Sequence, residues 1–192
     1  YKFDKFVNGL LREICRNKNK IFQNLEPNTN IPSWIKNDII KNLGKETLKK
    51  ISEAIVYEPN LNIKIKVSCV KKKNWEKVLN GKFIFADVLK THNDGLIEKK
   101  PFFSEGDWWI QNVSSTLPVR LISKIFQNVD KSKVSVLDVG AAPGGKTFQL
   151  IEENFNVKSL EISQRRIKRL KQNLQRLNLD ANIICQDFFN YK

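Results

Sequence analysis

Residues 3–16 set Phe3, Phe6, Val7, Leu10, Leu11 and Ile14 at three- and four-residue intervals, with Arg12, Glu13 and Arg16 on the other face. That spacing predicts an amphipathic helix. Residues 17–30 are polar and hold Pro27, so they read as a connector. Pro32-Ser33 opens a second helix, which runs to Leu43 and stops at Gly44. Its expected buried stripe is Trp34, Ile35, Ile39, Ile40 and Leu43. A third helix over 46–57 uses Leu48, Ile51, Ile55 and Val56.

The period then changes. Leu61, Ile63, Ile65 and Val67 alternate with Asn62, Lys64, Lys66 and Ser68. This predicts a half-buried strand with a basic outer face. Residues 71–79 read as a short helix and 82–89 as another strand. Residues 91–103 read as irregular, or as a strand pair around Asp94-Gly95. From Gln111 a helix is expected through Val113, Leu117, Val119, Leu121, Ile122, Ile125 and Phe126, with Pro118 in its first turns. Strand 134–139, helix 146–154, strand 157–160, helix 163–178 and strand 181–185 follow. Strands joined by helical crossovers make a parallel sheet.

Composition adds a partner to this picture. Of 192 residues, 41% are apolar, enough for a core, and the net charge is +14. Residues 1–104 carry 21 Lys and Arg against 11 Asp and Glu; residues 105–192 carry 13 against 9. The excess favours a polyanion, with nucleic acid first. Lys64, Lys66, Lys71, Lys72 and Lys73 are the candidate phosphate contacts, with a solvated charged face as the other reading. Cys15, Cys69 and Cys185 are far apart and His92 is the only histidine, so no metal or disulfide framework is expected. Reduced thiols suggest a cytoplasmic protein, and no apolar run suits a membrane. A monomer is expected. The chain starts at Tyr1 and has no methionine, so it reads as an internal piece of a longer protein.

The candidate chemistry lies in 134–147, V-S-V-L-D-V-G-A-A-P-G-G-K-T. A strand, a glycine-rich turn and a helix N-terminus present backbone N–H groups to a nucleotide-like ligand. In such a sheet, ligands bind at the carboxyl ends of the strands. Each strand end carries an acid: Asp138, Glu161 and Asp187. Glu161 is placed to hold both ribose hydroxyls, Asp187 to accept from an adenine amino group, and Asp138 to hold the loop or attract a cofactor ammonium. These residues suit S-adenosyl-L-methionine. Gly140 to Thr147 also satisfies the phosphate-loop pattern G-x-x-x-x-G-K-T, with Asp187 as a possible magnesium acid. A tight turn with no ligand is the third possibility.

The motif D-V-G-A-A-P-G-G-K-T resembles D-x-C-A-A-P-G-G-K-T of the Sun/Fmu (NOL1/NOP2/Sun) RNA cytosine-5 methyltransferase family, bacterial 16S ribosomal RNA type. Phe103-S-E-G-D-W-W-I-Q-N-V-S-S resembles that family's F-x-x-G-x-x-x-x-Q-D-x-S-S segment. Glu161-I-S-Q-R-Arg166-I and Cys185-Q-Asp187 resemble its second and third motifs. Phe6-V-N-G-L-L-R resembles the end of a NusB-like helical domain, and Leu61-N-I-K-I-K-V-S the following l-x-l-R-x-N strand.

The resemblance implies an α/β chain in three parts. Residues 1–57 would end a NusB-like helical domain, 58–104 would form a small α/β RNA-contact module, and 105–192 the first half of a Rossmann-like methyltransferase domain. It implies S-adenosyl-L-methionine held by Gly140, Ala141, Ala142, Pro143, Gly144, Gly145 and Lys146, with Glu161 on the ribose and Asp187 near the adenine. The partner would be ribosomal RNA, and the reaction methyl transfer to carbon 5 of cytosine through a covalent Cys adduct. The family's D-A-P-C and T-C-S motifs are expected beyond Lys192, so no catalytic residue is assigned. Such a fragment could act as a non-catalytic RNA-binding module; a phosphate-loop nucleotide-binding domain is the further alternative. Three departures stand out. Gly140 replaces the family Cys, Glu161 the usual Asp, and Lys66 the Arg of the upstream strand. Cys185 is expected to pack in a strand core.

Overall fold

In the computed structural model, which describes residues 3–23 and 30–191, the first apolar period forms α1 (Asp4–Arg16). A helix, α2 (Lys18–Gln23), occupies the start of the expected connector, whose remaining residues 24–29, including Pro27, lie outside the described residues. α3 (Ser33–Ile55) is two helices joined at Gly44, where φ is 82° and ψ 164°. Only glycine takes that conformation without strain, so the expected stop at Gly44 becomes a kink. These helices belong to one unit, Tyr1–Glu58. The stripe on α1 is exposed throughout, with Phe6 at 70%. Of the stripe expected to be buried on α3, Trp34 and Leu43 are exposed and Ile35, Ile39 and Ile40 are half-buried. Periodicity decides which side chains share a face; burial needs a second surface to meet it.

The second unit, Pro59–Lys192, contains two sheets. The first is antiparallel, in the order β2-β3-β1-β4, with β1 (Leu61–Ile65), β2 (Gly81–Phe85), β3 (Val88–Thr91) and β4 (Trp108–Ile110). The single strand expected at 82–89 is therefore a hairpin. The sheet also takes β4 from beyond residue 104. Tight 3-10 turns at Val67–Lys72 and a short α4 (Trp75–Val78) replace the helix expected over 71–79. No strand pair forms in 91–103, which holds a 3-10 turn at Ile97–Lys99. Ile63, Ile65, Trp75, Leu89 and Trp108 make this core.

The basic outer face expected for β1 turns inward. Lys64 is 1% exposed, and its Nζ lies 2.5 Å from Asp87 Oδ2. Arg120 of α5 (Val113–Ile125) pairs with the other Asp87 oxygen. Lys66 Nζ donates to Leu177 O at 2.7 Å, and Lys73 pairs with Asp107 at 2.8 Å. Thus three of the five candidate phosphate contacts serve the fold, and only Lys71 and Lys72 remain exposed.

The second sheet is parallel, in the order β5-β6-β7, with β5 (Ser135–Val139), β6 (Asn156–Leu160) and β7 (Asn182–Ile184). The crossovers are α6 (Gly145–Glu152) and α7 (Gln164–Leu177). In α7, Ile167, Leu170, Leu174 and Leu177 recur at helical spacing and are all buried. Ser163 caps its start by accepting from Arg166 N, and Asn178 ends it with φ 50°.

The segment before α5 grips the end of α7. Gly106 has φ 73°, and a Cβ there would lie 2.0 Å from Arg176 O. Arg176 Nη1 donates to Phe103 O and Trp108 O, and its guanidinium sits 4.0 Å from the Phe103 ring centre. Phe103 and Gly106 of the F-x-x-G pattern thus join the antiparallel module to the parallel sheet.

Candidate functional site

Register brings the strand ends together. Val139 pairs with Leu160, and Leu160 with Ile184. Gly140, Glu161 and Cys185 therefore begin their loops side by side at the carboxyl edge, with Asp187 two residues further on. The backbone N–H groups of Gly140 and Ala141 both donate to Leu160 O, at 2.9 and 3.0 Å, which folds the loop over the end of β6. Gly140 has φ 69° and Gly144 φ 119°. A Cβ on Gly144 would lie 2.0 Å from Phe148 Cζ and 2.8 Å from Leu170 Cδ1, so the turn needs glycine there. Ala141 and Ala142 are buried, Gly145 half-buried, and Pro143 and Lys146 exposed. Gly144 gives α6 no side-chain cap, as a ligand-facing helix start would have it.

Asp138 takes the loop-holding role. Its Oδ2 accepts from Thr147 Oγ1 at 2.7 Å, and the Thr147 hydroxyl lies 3.2 Å from Ser159 Oγ. All three residues are buried. A second brace comes from a residue outside the candidate set. Gln111 Oε1 accepts from Trp109 Nε1, and Gln111 Nε2 donates to Gln149 Oε1, both at 2.9 Å. Gln149 Nε2 in turn donates to Thr116 O. A Cβ added to Gly145 would lie 3.5 Å from Gln111 Cγ, so this amide chain supports the first residue of α6.

Glu161 is 2% exposed. Its Oε1 accepts from Ser163 N at 3.0 Å. Its Oε2 lies 3.0 Å from Arg166 Nη1 but has no hydrogen-bond partner, because the guanidinium approaches off-angle. Arg166 Nη2 donates to Ala142 O, and Asn173 Nδ2 donates to Pro143 O at 3.1 Å. α7 therefore holds the glycine loop from outside. Arg166 was visible in the motif after Glu161; Asn173 carries no signal beyond its place on the helix.

Asp187 is half-buried, and its Oδ1 accepts from Phe189 N at 2.9 Å, capping the turn Phe188–Asn190. Ile162, next to Glu161, is 64% exposed, an apolar surface at the strand end that strand-end acids alone do not reveal. Cys185 is exposed, contrary to the expected core position, because β7 ends at Ile184. Cys69 is buried against Asp107, and Cys15 is exposed. Among the described residues, no three His, Cys, Asp or Glu side chains gather as a metal site. Nor is any described helix long and apolar enough to cross a membrane.

A parallel sheet with a glycine loop after one strand and a buried acid after the next is a Rossmann-like arrangement. Residues 125–192 match the family model described as 16S rRNA methyltransferase RsmB/F. Over those residues the chain is similar to this ribosomal RNA methyltransferase family. It is 25% identical over 189 residues to the ribosomal RNA small subunit methyltransferase B of Erwinia tasmaniensis, across 92% of this chain and 42% of that protein. It is 28% identical over 193 residues to the protein of the same description from Proteus mirabilis, across 94% of this chain and 44% of that one. The crystal structure of NSun6 from Pyrococcus horikoshii with SFG, an S-adenosylmethionine analogue, shares the fold. Its TM-score is 0.61 at 14% identity, over 81% of this chain and 65% of that one. The chain spans less than half the length of the curated relatives it matches.

Proposed function

We propose that this chain holds the cofactor side of an enzyme that methylates carbon 5 of a cytosine in 16S ribosomal RNA, with S-adenosyl-L-methionine as methyl donor. The observation that carries the reading is Glu161 Oε2, buried at the strand end beside the glycine loop, ion-paired with Arg166 at 3.0 Å yet without an aligned hydrogen bond. A buried carboxylate oxygen left without a donor is costly. A ribose diol supplies two O–H donors to such a group. We assign Glu161 to the ribose and Ile162 to the face of the adenine. Asp187 and its turn bound the adenine edge, and the loop from Gly140 to Lys146 meets the methionine portion. When bound, the cofactor supplies an electrophilic methyl group. The protein's part is to hold the loop rigid from beneath through Asp138 and Gln111, and from outside through Arg166 and Asn173.

By family resemblance we read the reaction as one in which a thiolate adds to carbon 6 of the target cytosine, since carbon 5 is a poor nucleophile unaided. We assign that role to none of Cys15, Cys69 or Cys185, which lack the D-A-P-C and T-C-S contexts. The phosphate-loop alternative is weakened by Thr147. Its hydroxyl is fully buried and engaged with Asp138 and Ser159, so it is unavailable to a magnesium ion. The three-part division into a NusB-like end, an RNA-contact module and a cofactor half remains our reading of the organisation, as does a cytoplasmic monomer.

Calorimetric titration with S-adenosylhomocysteine and with ATP tests the proposal. Saturable binding of S-adenosylhomocysteine without ATP binding is expected. ATP binding alone, to protein with an intact circular dichroism spectrum, would overturn it.

A further inference from the structure

Against α7, on the flank of the glycine loop, lies a cleft of about 280 Å³. One wall is apolar, made by Ile97, Phe103 and Ile110. Arg169, Asn173 and Arg176, spaced to lie on one side of α7, also line it, with the Arg176 guanidinium against the Phe103 ring. Pro143 and Gly145 close the end towards the cofactor loop. The Asn173 bond to Pro143 O ties cleft and loop together.

α7 carries six Arg and Lys and no acid over Gln164–Leu177. Arg166 and Arg176 are engaged inside the fold. Arg165, Lys168, Arg169 and Lys171 are exposed, with no carboxylate partner among the described residues. In the antiparallel module, by contrast, Lys64, Lys73 and Lys100 are paired with Asp87, Asp107 and Asp94. α7 therefore gathers four unpaired positive charges between Arg165 and Lys171, with no acid on the helix.

We propose that this cleft and the basic side of α7 form a docking groove for a single-stranded segment of RNA, one base resting on the apolar wall and its phosphate on Arg169. The proposal rests on the RNA methyltransferase reading above. An apolar wall for a base beside a cationic rim for the backbone is how single strands are held without a duplex. The volume suits one base rather than a large ligand. Glu98, on the rim, is the one acid facing an incoming phosphate. A strand seated here runs past Pro143 and Gly145, so it lies alongside the loop assigned to the cofactor.

The test is fluorescence anisotropy of the full chain with a labelled single-stranded oligoribonucleotide of about ten nucleotides, within the site sizes of single-strand binders. Titrations run at several salt concentrations, with S-adenosylhomocysteine calorimetry on every variant. Arg169→Glu is expected to weaken RNA binding about tenfold at low salt and to lower the salt slope by about 1. Glu98→Gln is expected to tighten it. Neither should change S-adenosylhomocysteine affinity, since neither side chain touches the glycine loop. If Arg169→Glu has no effect while Lys71→Glu with Lys72→Glu abolishes binding, the groove is wrong. The same holds if a duplex binds as well as the single strand. Cofactor binding with no RNA binding would overturn the groove and leave the cofactor reading standing. Loss of cofactor binding in the unmodified chain would overturn both.

Discussion

Gln111 donates to Gln149 at 2.9 Å between two buried side chains 38 residues apart in the chain. The first follows β4 of the antiparallel sheet; the second is on α6, which begins at the glycine loop. Both amides are further bonded, to Trp109 and to Thr116. Replacing Gln111 with Leu strands Trp109 Nε1 and Gln149 Oε1 away from water. Each lost partner costs about 1–3 kcal/mol. Gln111→Leu is therefore expected to lower the urea midpoint at an unchanged slope, corresponding to a loss of about 2–6 kcal/mol in total. An unchanged midpoint would show that the amide chain adds nothing to the fold.

Gly106→Ala is expected to be more damaging than an exposed glycine substitution elsewhere. The new Cβ meets Arg176 O at 2.0 Å, and the backbone has φ 73°. Both the clash and the conformation are unfavourable, at about 1–3 kcal/mol each. Gly95→Ala is the control, because its φ of 72° is similar but its added Cβ meets nothing within 4 Å. Thermal unfolding should show Gly106→Ala losing clearly more than Gly95→Ala. Equal shifts would mean that the close approach to α7 is not tight in solution.

The Lys64–Asp87–Arg120 cluster makes stability depend on pH. Burial pushes the Asp87 carboxyl up, but Lys64 and Arg120 outweigh it and hold it below its ordinary 3.8. A depressed carboxyl contributes stability above its unfolded value and loses it as pH falls through the folded value. Glu152, raised by burial, works in the opposite direction. The stability difference between wild type and Asp87→Asn isolates the cluster. It should be about 3–5 kcal/mol near neutrality, since the buried Lys64 loses its partner. It should shrink as pH falls below about 4, the ordinary carboxylate range. Adding Lys64→Met to Asp87→Asn should recover much of the loss. A pH-independent difference would reject this account.

The parallel half of the fold was legible because its elements carry unmixed periods. The apolar positions of α7 and the glycine turn after β5 leave little choice of structure. Phe83-I-F-A-D-V-L89 was not legible, since its apolar residues run on through a hairpin turn at Ala86-Asp87 that has no glycine or asparagine. β4 is three residues long, too short for a period to declare itself. The lysines of β1 misled because alternation reports spacing, while the partner that buries Lys64 is 23 residues away at Asp87. Cys185 misled by one residue of strand length. At the site, the order of loop and acids was visible. What holds them was not, because Gln111 and Asn173 act through neighbours that only register and packing bring near.

Glu161 and Arg166 should be coupled in cofactor binding. Arg166 bridges the Glu161 carboxylate and Ala142 O, so it orients the acid and the loop together. Glu161→Ala is expected to weaken S-adenosylhomocysteine binding by about 1–3 kcal/mol, through loss of a charged hydrogen-bond acceptor. That is roughly 5- to 150-fold in affinity. Arg166→Met is expected to weaken it less, because the acid stays in place without its guide. With Glu161 already gone, Arg166→Met should cost less again, so the double variant loses less than the two singles together. Calorimetry on all four proteins, each checked for folding by circular dichroism, closes the cycle. Strict additivity would mean that Arg166 acts on the loop alone. Full affinity in folded Glu161→Ala would remove Glu161 from the ribose.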